Sequence, residues 1–272
     1  MPRIGDWQTI DFLVTVKAYP SVSTTYGEAV CIAGVRVDSP AREWARLFPV
    51  KFRDLPPERR FAKYQIVRAR ACKHSTDART ETWRPDLDSI EPGEVIEPKR
   101  YWAQRRALLD PLIGASMCEL IRGRQGGAPG PSLGLVRPRE ILGIRVSPAD
   151  SWSAGQLGTV GQGNLLTSKT ELVKPAHAFA YRYLCEDPSC KTHTQTIVDW
   201  ELGEAYRSWP QTGDELLDAI RRHWLDDLCG PDRDPMFFVG DQHTRPGQFL
   251  VLGTWWPARR PDDHQLTLPI AA

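Results

Sequence analysis

Apolar and β-branched positions dominate the first third of the chain. Ile10-Asp11-Phe12-Leu13-Val14-Thr15-Val16-Lys17 alternates and predicts a strand. Glu28 to Val37 is nearly continuously apolar and predicts a central strand, buried on both faces. Trp44 to Pro49 and Tyr64 to Ala71 read as further strands, and in the latter Arg68 and Arg70 share a face because strand side chains repeat every two residues. Pro20 to Thr25 reads as a loop, and Pro56 to Phe61 as a turn or short helix opening. Short strands separated by turn signals predict a small barrel or sandwich.

The pattern then changes. Residues 85–98, with Pro85, Pro92 and Pro98, read as a linker or long loop. A helix is predicted from about Tyr101 to Ile121 on the stripe Leu108, Leu109, Leu112 and Ile113, bent or restarted at Pro111. Gly123 to Pro131 is a flexible segment, Leu133 to Val146 a strand interrupted by Pro138, and residues 149–164 a Ser/Gly-rich loop. Further on, Phe179 to Leu184 reads as a half-buried strand, and Thr196 to Leu202 as a strand or a strand running into a helix. Asp214 to Leu228 is the clearest helix: Leu216, Leu217, Ile220, Trp224 and Leu228 fall at helical spacing behind a Gly213-Asp214 cap. Met236 to Gly240 and Phe249 to Trp256 form two strands around a polar loop, and the last 15 residues read as an exposed tail.

These segments predict an α+β fold in three parts. Residues 1–98 form a basic, antiparallel, barrel-like β module, and residues 99–164 a helix with a Gly/Pro-rich connection. Residues 165–272 form a C-terminal α/β module built around a Cys/His zinc-type knuckle.

Composition narrows the class. The 272 residues are 41% hydrophobic and 25% charged, as in a soluble globular protein. No apolar run approaches the roughly 18 residues of a membrane helix, so no membrane partner is expected. Met1 to Trp7 lacks a charged head and apolar h-region, which places the chain in the cytoplasm. In that reducing compartment the six cysteines read as metal ligands or buried residues rather than disulfides, with Cys31 a buried small hydrophobe.

Charge is uneven. Arg36 to Arg84 holds 13 Lys/Arg against 6 Asp/Glu, whereas Glu186 to Asp241 holds 5 against 13. The basic stretch, with Arg46, Lys51, Arg53, Arg59, Arg60 and Lys63 around Phe48, Phe52 and Phe61, reads as a surface for DNA or RNA. Arg68, Arg70, Arg100, Trp102, Arg105 and Arg106 extend it, with Trp102 placed to stack a base. The acidic stretch suggests a surface for a basic protein partner.

The sharpest chemical signal is Cys185-x4-Cys190-x2-His193, two thiolates and an imidazole across a Pro-containing turn, as a zinc site requires. A fourth ligand must come from elsewhere, and Cys229 is the first candidate, with His177 and then His243 behind it. Four protein ligands make the zinc structural, while a water in the fourth place makes it catalytic.

Asp199 and Glu201 follow closely. On a strand they share a face and could hold Mg²⁺ for phosphodiester hydrolysis, with His243 acting near the metal. At a helix start they are a cap and a solvated acid. No Lys stands two residues past Glu201, and there is no dinucleotide fingerprint, Walker lysine or G-x-S-x-G elbow. The leading expectation is therefore a zinc-stabilised nucleic-acid-binding protein. The alternatives are a metal-dependent, nuclease-like hydrolase and a protein-interaction component.

Overall fold

A computed structural model describes residues 7–23, 25–74, 77–156 and 172–260. Strands β1 (Gln8–Lys17), β3 (Gly27–Arg36), β4 (Trp44–Val50), β5 (Gln65–Lys73) and β6 (Thr82–Pro85) close on one another in the order β1-β3-β4-β6-β5, with β5 returning to β1. All these pairings are antiparallel except β4 with β6. Three hairpin-linked strands with the fourth returning beside the first is a Greek key, and the fifth closes it into the kind of barrel that OB-fold proteins use for oligonucleotides and oligosaccharides. Short strands β2 (Ser21–Ser23) on β3 and β7 (Glu91–Val95) on β5 extend the rim. Both fall in segments expected to be loops: each is only three to five residues long, too short for a pattern to show.

Side-chain alternation divides the barrel strands. Ile10, Phe12, Val14, Ile32, Leu47, Val67 and Ala69 fill the interior. Leu13, Val16, Ala33 and Val35 point outward, yet they are buried too, against Leu133, Leu135, Phe238, Leu252 and Trp255. Those partners come from a second sheet, ordered β13 (Arg245–Trp255), β12 (Met236–Gln242), β8 (Leu133–Val136). Phe237, Val239, Phe249 and Val251 on its other face join a third core beneath the strands β9 (Pro138–Pro148), β10 (His177–Cys185) and β11 (His193–Thr196). Covered on both faces, β12 reads as one apolar run. The same middle cluster takes side chains from both ends of the chain, so the barrel and the C-terminal sheets share a core.

The helices are short. The expected helix 101–121 is two, α1 (Ala103–Leu109) and α2 (Met117–Arg124), parted at Pro111 by a 3-10 turn and an extended link. Arg100, Tyr101 and Trp102 precede α1 in the left-handed region, with φ of 50°, 54° and 64°. That conformation costs roughly 1–2 kcal/mol per residue, offset here by burial of Trp102 among Tyr64, Trp255 and Trp256. α3 (Trp200–Ser208) follows β11, and α4 (Gly213–Arg222) passes into a π-helical turn, His223–Asp227, so the expected helix 214–228 changes pitch midway. No helix among the described residues is long and apolar enough to cross a membrane. Residues 157–164 of the expected loop and residues 261–272 of the expected tail lie outside the described residues.

Candidate metal centre

Four side chains from three elements converge. Cys118 is the second residue of α2, Cys185 ends β10, Cys190 lies in the following turn and His193 opens β11. All four ligand atoms lie within 4.8 Å of one another. His193 Nε2 is 3.4 Å from Cys118 Sγ and 3.3 Å from Cys185 Sγ, and the latter two sulfurs are 3.6 Å apart. Ligands about 2.3 Å from a tetrahedral centre stand roughly 3.8 Å from each other, close to the spacings of this cluster, which could hold a single metal ion. No cysteine is in a disulfide.

Local sequence builds each corner. Ser116 caps α2 in a reciprocal box with Glu119, which fixes the helix start one residue before Cys118. Asp187 shapes the turn, accepting from Ser189 N at 2.8 Å, while its carbonyl accepts from Cys190 N at 3.0 Å. Arg122 of α2 reaches Asp187 at 2.7 Å, clasping helix and turn a second time. His193 sits opposite Tyr183 across the β10–β11 ladder, its ring 5.3 Å from the tyrosine.

Burial and mutual proximity set the ionisation of these groups. Burial, then the neighbouring Cys185 and Cys190, push the Cys118 thiol up to about 12. Burial also acts against ionising Cys185, but backbone contacts at Cys118 and Asp187 and the neighbouring thiols outweigh it and hold Cys185 below the usual thiol range. Burial lowers His193, keeping the imidazole neutral, as a metal ligand must be.

Cys185, Cys190 and His193 thus meet as their spacing predicts, but the fourth corner is Cys118, not Cys229. The Cys229 thiol instead contacts the Trp224 carbonyl at 3.4 Å and the Tyr181 hydroxyl at 3.8 Å, and burial pushes it up to about 12. His177 contacts the Tyr206 hydroxyl at 3.0 Å and His243 lies 3.3 Å from Asp77. The missed signal was Ser116-x-x-Glu119: read as a capping box, it starts a helix beside Cys118 rather than ending one there. Cys31 is only partly buried, lying on a barrel strand that β2 covers incompletely.

The expected carboxylate site does not assemble. Asp199 is the N-cap of α3, accepting from Glu201 N at 3.2 Å, so the two acids lie at a helix start rather than on one strand face. Both grip Lys63, at 3.3 and 3.0 Å. Burial chiefly, with Glu201 adding, moves the Asp199 carboxyl up to about 6, while Lys63 stays charged between the two acids. Among the described residues the Cys118 group is the one metal-competent cluster, and neither acid nor His243 belongs to it.

The basic residues divide. Arg46 is 1% exposed and ties the barrel to the second sheet through Thr82 and Ser132. Lys63, Trp102, Arg105 and Arg106 are also withdrawn: Lys63 by its acids, Arg105 over the Tyr64 ring, and Arg106 by Asp234. Arg53 pairs with Glu28 and Arg59 with Asp88, while Arg60 donates to the Leu55 carbonyl. Lys51 and Arg100 are exposed, with no acidic partner among the described residues. Arg68 and Arg70 project from β5 into solvent, each beside an acid, Asp11 and Asp86. Arg84 on β6, which the sequence reading passed over, lies opposite Cys72 and so shares that outer face. The Arg70 guanidinium lies 5.9 Å from the Trp7 ring.

A closed Greek-key barrel is joined to a sheet layer that carries a Cys3His cluster. Residues 113–270, more than half of the chain and the part that holds all four ligands, match the family described as Domain of unknown function (DUF8757), and the chain belongs to that family. Residues 8–111, which hold the barrel, match Domain of unknown function (DUF8758). No curated protein matches the chain.

Proposed function

We propose that the chain is a non-catalytic nucleic-acid-binding protein, stapled by a structural zinc ion, that takes a single strand across the outer face of β5 and β6. Three thiolates and an imidazole suit zinc, and four protein donors fill a tetrahedron and leave no place for a catalytic water. The observation that carries the nucleic-acid reading is the solvent-facing row Arg68, Arg70 and Arg84 beside Trp7. Guanidinium groups neutralise phosphates and an adjacent indole stacks a base. Asp11 and Asp86 hold the first two arginines in place when no strand is bound, and such exposed pairs are weak enough for phosphate to replace. A non-catalytic role is favoured because Asp199 and Glu201 are occupied with Lys63.

Fluorescence anisotropy with short DNA and RNA oligonucleotides over a salt series tests this. Three phosphate contacts give a slope of log K on log salt of about −2 for a single strand. Replacing Arg68, Arg70 and Arg84 together by Ala should remove most of it. No binding at low salt, or unchanged binding by the triple variant, refutes the surface. Elemental analysis of protein purified without added metal, repeated on Cys190→Ser, tests the zinc.

A further inference from the structure

A cavity of about 420 Å³ opens on the face of the molecule built by α3, the π-helical turn and the end of β13. Four of the ten tryptophans line it, Trp200, Trp209, Trp224 and Trp256, together with Glu201 and Glu204. From this arrangement we propose that the cavity binds an alkylated ammonium group, of the kind carried by choline or by a trimethylated lysine side chain. The site is separate from the arginine row on the barrel and does not depend on it.

The helix geometry assembles the wall. Glu201, Glu204, Ala205 and Ser208 recur at the three- and four-residue spacing that puts them on one face of α3, and Trp209 follows at its end. Across from them the chain leaves α-helical pitch. The π-helical turn brings His223, Trp224 and Leu228 to the opposite wall, and such turns recur at functional sites. Trp209, His223 and Trp224 are in mutual contact, with ring centroids 4.8 to 6.1 Å apart, so this wall is a continuous aromatic surface.

The chemistry selects a cation. Indole faces attract ammonium groups, tryptophan most strongly. The lining contains two carboxylates and neither lysine nor arginine. The cations that balance those carboxylates, Lys63 at 3.0 Å from Glu201 and Arg207 at 2.6 Å from Glu204, are not part of the wall. Two of these rings already hold cations of the chain itself: Lys17 lies 5.7 Å from Trp200 and Arg233 5.0 Å from Trp256. A nucleotide would meet the same rings, but its phosphate would face Glu201 and Glu204. An alkylated ammonium gains chiefly from the Trp209 and Trp224 rings, which face no chain cation among the described residues, and its methyl groups replace water against an apolar wall without demanding hydrogen bonds.

Tryptophan fluorescence titrations and calorimetry on the full chain test this with four probes: choline, a trimethyl-lysine peptide, the uncharged choline isostere 3,3-dimethylbutanol and adenosine monophosphate. Choline or the peptide should bind with a Kd of about 1 mM or tighter and at least about tenfold better than the neutral isostere. The stronger of the two identifies the source as free metabolite or protein side chain. Trp209→Leu and Glu204→Gln, both at partly exposed positions and checked for folding by circular dichroism, should each weaken binding about fivefold to tenfold. Equal binding of the charged and neutral isosteres, preference for the nucleotide, or no saturable signal from either ammonium probe would each overturn the proposal. The isostere comparison uses the unaltered protein, so a variant that misfolds does not decide the result.

Discussion

Replacing Cys118 by Ser removes the one ligand that the sequence places far from the other three. Cys118 and Cys185 are 67 residues apart, and an ion held by both closes that whole segment into a loop. Treating the metal as a cross-link, loop-closure entropy for a segment of this length corresponds to about 4 kcal/mol. For a chain of this size that shifts the thermal midpoint by roughly 8–16 °C. The Arg122–Asp187 pair still bridges helix and turn, but with Arg122 53% exposed solvent screens it and it recovers little of that loss. Chemical unfolding of both proteins, with and without a strong chelator, separates this effect from ordinary packing loss. Metal-loaded wild-type protein should exceed Cys118→Ser by about 4 kcal/mol, and chelation should bring the two together. Cys229→Ser is the internal control and should retain its metal, because that thiol contacts Trp224 and Tyr181 instead. A Cys118→Ser protein with full metal content, or a wild-type stability indifferent to chelation, would show that the four side chains do not act as one site.

Other substitutions probe the scaffold. Arg46→Met leaves the Ser132 carbonyl and hydroxyl without their buried donor and should cost about 2 kcal/mol in urea unfolding while leaving oligonucleotide affinity unchanged. Gly34→Ala places a Cβ 1.9 Å from the Leu13 carbonyl oxygen, where β3 pairs with β1, and should cost about 3 kcal/mol. Acid sensitivity should centre on Asp77. Burial alone would raise its carboxyl, but the Arg79 side chain and backbone amide outweigh burial and hold it well below the ordinary 3.8. The unfolded chain therefore takes up a proton near pH 3.8 that the folded chain refuses, so the stability this pair gives above that pH is lost as pH falls below it. A pH series of unfolding midpoints should be flatter for Asp77→Asn between about pH 4 and 2.

The legible features were those set by neighbours in sequence. Strands such as Ile10 to Lys17 and the apolar run at Met236 announce themselves because burial imposes a two-residue period or removes it. Cys185, Cys190 and His193 were readable because one turn brings them together. What stayed hidden depends on contacts between distant segments. No pattern within residues 101–121 says that Cys118 faces a hairpin 67 residues on, although the capping box fixes its helix start. Charge misled in the same way: Arg46, Arg105 and Lys63 look like surface cations in sequence, and only the fold supplies the serine, the tyrosine ring and the carboxylates that withdraw them.

The covered barrel face limits where a strand would bind under the proposed function. OB-type barrels present their second and third strands to ligand. Here those strands are β3 and β4, and their outer side chains, Ala33 and Val35 with Arg46, are spent on the contact with β8, β12 and β13. Exposing that face would separate Leu13 and Val35 from Phe238 and Trp255 and strip Arg46 of its partners, dismantling a core rather than opening a site. Away from that contact, Arg68 and Arg70 on β5 and Arg84 on β6 point outward and are exposed. Under the proposed function a strand crosses the exposed arginines of β5 and β6, and cross-linking of a photoreactive oligonucleotide should label peptides from those strands and the Trp7 segment. Labelling of β3 or β4 instead would mean that the interface between the barrel and the second sheet opens in solution.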